Sequence, residues 1–162
     1  MNLFDKKILE HIGKQLLKKK ETIAVAESVT AGLLQFAFST APDAVKFFHG
    51  GITAYNIAQK FKHLQVEPLH ALAVNCVSQK VADEMAHHVC RFFCSDWGIG
   101  ITGYASRVPE SGNKVFAFYA ISYRTKLKAY GKITSQKADP PALQLKYVNY
   151  ILGQLERKIS LP

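Results

Sequence analysis

Apolar residues recur at helical spacing over the first twenty positions. Ile8, Leu9, Ile12, Leu16 and Leu17 share one face, which predicts a helix over about 2–20. The run TIAVA (22–26) then reads as a buried strand, and a short helix over 29–39 follows Ser28. Pro42-Asp43 marks a turn, and Gly50-Gly51 separates two strand-like pieces, VKFF and ITAY. A helix is expected over about 56–65 and another over 79–94, with Ser78 as its N-cap. GIGIT (98–102) reads as a strand, and a loop over 103–113 contains Pro109 and Gly112. KVFAFYAISY and KLKAYGKIT predict an antiparallel pair, and Pro140-Pro141 opens a last helix to about 158. Strands alternating with helices argue α/β layers, and the late hairpin makes the sheet mixed.

The 162 residues are 48 % hydrophobic and 20 % charged, a balance that excludes disordered and collagen-like chains and predicts one domain over 1–162. No apolar stretch reaches the roughly 18 residues of a membrane span, so no membrane partner is expected. The N-terminal segment carries acids among its bases and lacks a secretory core. Three cysteines, Cys76, Cys90 and Cys94, make no disulfide framework and favour a cytoplasmic location.

The net charge of +9 is uneven. Residues 1–22 carry +3, residues 23–122 balance to zero, and residues 123–162 carry +6. A basic end permits nucleic-acid binding, but lysine-rich solvated faces are the favoured explanation, since no nucleic-acid motif accompanies the charge.

Candidate chemistry concentrates after the first strand, at Glu27-Ser28-Val29-Thr30-Ala31-Gly32. A serine at a strand-to-helix turn has two uses. It is a nucleophile where free helix N–H groups stabilise an oxyanion, or it caps the helix, as Thr30 also does. Further on come Gly50-Gly51-Ile52-Thr53-Ala54-Tyr55-Asn56-Ile57-Ala58-Gln59-Lys60, then Val77-Ser78 before a helix, then Thr102-Gly103 at a strand end. Four motifs in this order resemble the CinA C-terminal domain family, with its pattern E-S-[CA]-T-G-G, G-G-x-x-x-Y-x-x-x-x-K, V-S-x-x-V-A and [ST]-G. The resemblance covers about residues 5–157.

That resemblance implies a three-layer α/β/α sandwich with a mixed, mainly parallel sheet. It also implies a serine amidohydrolase of the nicotinamide mononucleotide deamidase type, with a Ser/Lys pair, no cofactor and no metal. By position, Ser28 would be the nucleophile and Lys60 the general base, with Tyr55 beside them. Substrate contacts would come from Glu27, Thr30, Ala31, Gly32, Gly51, Thr102, Gly103 and Arg107. The chain resembles a stand-alone form without the family's molybdopterin-like domain, and a homo-oligomer is expected.

The chain departs from the pattern at three places. Ala31 replaces a glycine, and Tyr104 to Lys114 replaces a longer glycine- and proline-rich loop, leaving Arg107 or Lys114 to supply charge. The segment 138–144, which opens the last helix, has no arginine where the family tends to carry them. Beside the enzyme stand two other expectations: a non-catalytic member that binds a small ligand or a protein, and a nucleic-acid-associated basic protein. Asp83, His87, Cys90 and Cys94 share a helix face opposite Val81, Met85, Val89 and Phe92; their spacing matches no common zinc motif, and a subunit interface is an alternative use. His49 is a further candidate for the site, and Trp97 and the strand aromatics read as core.

Overall fold

A computed structural model describes residues 2–161. Five strands, β1 (Ile23–Glu27), β2 (Phe48–Thr53), β3 (Trp97–Tyr104), β4 (Val115–Tyr123) and β5 (Lys126–Ser135), form one sheet in the order β2-β1-β3-β4-β5. The helices are α1 (Lys6–Lys19), α2 (Leu33–Ser39), α3 (Ile57–Leu64), α4 (Pro68–Ala73), α5 (Gln79–Phe93) and α6 (Pro140–Ile159). One face of the sheet is covered by α1, α2 and α6, whose Leu16, Phe38 and Ile151 join Val25, Ile99 and Ile101 in the larger core. The other is covered by α3, α4 and α5, whose Leu64, Ala71 and Met85 pack with Ala24 and Ala26.

The three-layer α/β/α sandwich is therefore as expected. The sheet, however, divides evenly. β1 pairs parallel with β2 and β3, and the β3–β4 and β4–β5 pairs are antiparallel. Parallel pairing ends where the helical crossovers end, because the connections that follow, 105–114 and 124–125, are too short for a crossover.

Local chemistry moves several boundaries. The first helix starts at Lys6 because the Asp5 carboxylate accepts from the N–H groups of Lys7 and Ile8. Of VKFF (45–48) only Phe48 is strand. Ala44–Lys46 is a 3-10 turn, and β2 runs unbroken through Gly50-Gly51. At Gly51 a Cβ would lie 2.7 Å from the Val25 carbonyl oxygen, so the glycine there permits close strand packing rather than a break. The short helix α4, capped by Glu67 with Pro68 at its first position, has too little periodicity to read from sequence. β3 extends to Tyr104, and the following loop contains a 3-10 turn at Pro109–Ser111.

β3 explains how α5 reaches the sheet. Its residues alternate large toward α6 and small toward α5. A Cβ at Gly100 would lie 2.4 Å from the Ala82 carbonyl oxygen and 2.6 Å from the Ala86 nitrogen. At Gly98 it would meet the Ala86 oxygen at 2.4 Å. The helix thus rests on bare backbone. Its buried stripe is Val81, Ala82, Met85, Ala86, Val89 and Cys90. Phe92, expected on the apolar face, is exposed, and Cys90, expected on the polar one, is buried against Ser122.

The parallel strands end together at one edge, where the chain turns in opposite directions. It leaves β1 for α2 on one face and β2 for α3 on the other, and such a divergence opens a crevice beyond the strand ends. β5, at the far side of the sheet, exposes Lys126, Lys128 and Lys132. Lysines on an edge strand deter pairing with other chains, which gives part of the C-terminal charge a structural use.

Two substitutions test these packing arguments. Ala31 sits at φ 50°, a left-handed conformation that disfavours a side chain. Ala31→Gly is expected to stabilise the fold by about 1 kcal/mol and to raise the midpoint by about 2–4 °C in thermal denaturation. Gly100→Ala is expected to destabilise by at least about 1–3 kcal/mol in urea unfolding, because α5 backbone blocks the added methyl.

Candidate active site

The turn after β1 is held from three sides. The Ser28 N–H donates to the Ile101 carbonyl at 3.1 Å, which ties the turn to the end of β3. Gln144, in the first turns of α6, donates its side-chain amide to the Val29 carbonyl at 2.8 Å. Glu27, fully buried, accepts from the Thr30 hydroxyl (2.7 Å), from the Leu34 and Gln35 N–H groups (2.7 and 3.0 Å) and from the Gln35 side chain (3.1 Å). The carboxylate caps α2 and places its charge at the positive end of the helix. It therefore takes the very N–H groups that the serine-at-a-turn argument assigned to an oxyanion. Among the described residues, the Val29 and Thr30 N–H groups directly after Ser28 find no protein acceptor.

The turn after β2 supplies the second group. The Ala54 N–H donates to the Glu27 carbonyl at 2.9 Å, so the parallel pairing continues one residue past the strand. Asn56 caps α3 by accepting from the Gln59 N–H at 3.0 Å. Lys60 then falls on the first turn of α3, on the side facing β1. It is 1 % exposed, and its ammonium nitrogen lies 2.9 Å from Ser28 Oγ and 2.8 Å from the Ala54 carbonyl oxygen. Burial pushes its pKa below the ordinary lysine value, and the nearby Cys76 thiol acts weakly in the opposite sense. Ser28 is 8 % exposed.

Ser28 and Lys60 form the floor of a cavity of about 600 Å³. Tyr55, 71 % exposed, stands at its mouth. One wall is the end of β3, with Thr102, Gly103 and Tyr104. There the Thr102 hydroxyl donates to the Cys76 carbonyl at 2.7 Å, and the Tyr104 carbonyl accepts from the buried Tyr147 hydroxyl at 2.9 Å. The opposite wall is Asn75-Cys76, two successive residues in left-handed backbone at φ 51° and 60°. The Asn75 amide donates to the Tyr104 hydroxyl at 3.1 Å and so links the two walls.

Of the residues expected at the site, Ser28, Lys60, Tyr55, Thr102 and Gly103 are brought together on this cavity. Glu27, Thr30, Ala31, Gly32 and Gly51 lie behind it and shape the turn and strand that carry Ser28. Arg107 is turned away. Its guanidinium donates to the Asn113 carbonyl at 2.9 Å and the Gln136 carbonyl at 2.6 Å, closing the loop on itself. Asn75, Cys76, Tyr104 and Gln144 are cavity residues that the sequence reading left out. Only the Asn75-Cys76 step carried a signal, because asparagine tolerates left-handed backbone in turns.

The remaining candidates lie elsewhere. His49 accepts from or donates to nothing in the cavity, and its Nδ1 lies 3.0 Å from the Phe93 carbonyl. Asp83 is held by the Gln79 amide, His87 faces the Thr125 carbonyl, and Cys94 ends α5 in left-handed backbone. With Cys90, buried against Ser122, these make four side chains that do not converge, and no cluster of three metal-ligating residues exists among the described residues. No helix among the described residues is long and apolar enough to cross a membrane.

Comparison with known proteins places the chain in a family. Residues 5–159 match the CinA C-terminal domain. A CinA-like protein of Prochlorococcus marinus is 40 % identical over 111 residues, which is 68 % of this chain and 26 % of that protein. One from a Picosynechococcus species is 38 % identical over 112 residues, 69 % of this chain and 27 % of that protein. The chain thus spans about a quarter of the length of these curated relatives. The crystal structure of a CinA superfamily protein from Klebsiella pneumoniae shares the fold, with a TM-score of 0.90 at 22 % identity over 99 % of both chains. Another from Escherichia coli gives 0.86 at 26 % identity over 93 % of this chain and 87 % of that one. The chain belongs to the CinA C-terminal domain family.

Proposed function

We propose that this chain is a serine amidohydrolase that hydrolyses a primary carboxamide of the nicotinamide type. The observation that carries the reading is the 2.9 Å approach of a buried Lys60 amine to Ser28 Oγ on the floor of a cavity large enough for a ligand. A serine hydroxyl attacks an amide only when a base removes its proton, and a lysine serves as that base only when its environment favours the neutral amine.

In the first half-reaction Ser28 Oγ attacks the carboxamide carbon while Lys60 takes the hydroxyl proton. The Val29 N–H group, on the cavity lining, is the donor at hand for the tetrahedral oxyanion. The C–N bond then breaks, Lys60 returns the proton to the leaving nitrogen, and ammonia departs. In the second half-reaction Lys60 takes a proton from water, which attacks the acyl-serine ester. Collapse releases the carboxylic acid and restores the Ser28 hydroxyl. Ala54 orients the base throughout by accepting one N–H of the amine.

Ammonia release from nicotinamide riboside and nicotinamide mononucleotide tests the reading. Ser28→Ala and Lys60→Met are each expected to lower kcat/KM by at least about a thousandfold in a folded protein. Folded native protein that releases no ammonia from either compound would leave a ligand-binding domain as the reading.

Acidity gives an independent check. Lys60 binds its proton less tightly in the folded chain than in the unfolded one, where its pKa is near 10.5. Between those two values the unfolded state holds more protons, so stability rises with pH across that window. The burial penalty of the charged amine is in full force below the folded value and gone above 10.5. Lys60→Met lacks this dependence. The stability difference between variant and native protein is therefore expected to shift toward native as pH rises through that window, measured by urea unfolding at matched pH values. Over the same approach from low pH, kcat/KM of the native enzyme is expected to rise as Lys60 deprotonates.

A further inference from the structure

The cavity around Ser28 combines one basic side chain with an otherwise neutral lining. Lys60 is that base, and it is committed to Ser28 and the Ala54 carbonyl. Every other lining side chain among the described residues is apolar, a hydroxyl, a thiol or a carboxamide. Of the loop's two cations, Arg107 spends its guanidinium on the Asn113 and Gln136 carbonyls, and Lys114 is exposed and lies outside the cavity lining. At the start of α6 the cavity meets Pro140 and Gln144, and Gln144 donates to the Val29 carbonyl. The site therefore offers neutral hydrogen-bonding partners, such as Asn56 and Asn75, and ring faces, Tyr55 and Tyr104, but no guanidinium and no second cationic side chain to pair with a phosphate.

From this lining we propose that the site takes a phosphate-free aromatic carboxamide or its nucleoside, and gains nothing from a 5′-phosphate. The inference rests on the amidohydrolase reading and narrows its substrate class. A second physical consequence points the same way. A phosphate dianion brought into this cavity with no cation to neutralise it would favour the protonated form of Lys60 and withdraw the base from Ser28. A phosphate-free nucleoside of this type brings only its pyridinium cation, which disfavours the protonated amine and so leaves the base available to Ser28. The planar ring has the two tyrosines to stack on, and the ribose hydroxyls have the asparagine amides to bond.

The test compares matched ligands on the full chain: nicotinamide riboside against nicotinamide mononucleotide. Native protein is assayed for ammonia release, and the Ser28→Ala variant for binding by calorimetry. The expected kcat/KM for the riboside equals or exceeds that for the mononucleotide, with Kd values for the variant in the same order. Inorganic phosphate at 10-fold the riboside concentration (roughly the excess at which a shared subsite shows as competition) is expected to leave turnover unchanged. With the mononucleotide, the acidic limb of kcat/KM is expected at higher pH than with the riboside. A preference for the mononucleotide of about tenfold or more, or competition by phosphate, overturns the proposal while Ser28-dependent release leaves the hydrolase reading standing. The opposite split is equally readable. No release from either compound, with Ser28→Ala binding the riboside at least as tightly as the mononucleotide, overturns the hydrolase reading and supports the ligand class. Binding of neither compound overturns both.

Discussion

A lysine amine held out of water sets the terms for the rest of this site. Lys60 is almost completely enclosed, and two oxygens, Ser28 Oγ and the Ala54 carbonyl, lie within hydrogen-bonding distance. An ammonium carries three donors and needs three acceptors, whereas a neutral amine can donate to the carbonyl and accept from the serine. Enclosure thus shifts Lys60 toward the neutral amine, the form that the proposed mechanism requires of its base. That shift depends on placement. Lys60 reaches Ser28 because Asn56 starts α3 one turn earlier and because the Ala54 N–H still pairs with the Glu27 carbonyl. Two strands that end side by side, followed by helices on opposite faces, bring residues 32 positions apart to 2.9 Å.

The serine is held by a different device, and this one carries a strain. Glu27 binds the first N–H groups of α2 and the Thr30 hydroxyl, so the turn between strand and helix must fold tightly over the carboxylate. Ala31 and Gly32 absorb that turn at positive φ, where only the second is free of steric cost. Glu27 is thus a positioning residue. Its carboxylate is buried and fully engaged, and what reaches the cavity from this segment is Ser28 and the edge of Val29.

The helix-strand order and the antiparallel ribbon were legible because they rest on local periodicity, as in Leu9, Ile12 and Leu16 of α1 or the alternation along β4. Elements fixed by contacts distant in sequence were not. VKFF has the composition of a strand, yet Phe47 is buried in the larger core after a 3-10 turn, and Gly50-Gly51 continues β2 because Val25 and Gln35 press on it. The polar face read for α5 failed for the same reason. Gly98 and Gly100 let that helix sink onto β3, which buries Cys90 against Ser122. Within the site, Ser28 and Lys60 were readable from an ordered set of short motifs. Asn75, Cys76 and Gln144 were not, since a backbone conformation and a helix approach put them there.

Two parts of the chain form the floor and the outer wall of the cavity separately. Ser28 and Lys60 are placed by the turns after β1 and β2, which are locked by strand pairing and by the buried Glu27. The cavity's outer wall belongs to the end of β3, the loop beyond it and the start of α6. That loop is closed by Arg107 on carbonyls of its own and of residue 136, so its shape does not depend on a ligand's charge. A change in the outer wall can alter what is bound without moving Ser28 or Lys60, because the Ile101 carbonyl that anchors Ser28 lies one strand repeat inside the sheet from Gly103. The neutral wall and the buried amine are also mutually consistent. An anion close to Lys60 would stabilise the protonated form that enclosure disfavours, so a lining without cations works best with a ligand that brings no anion into the cavity.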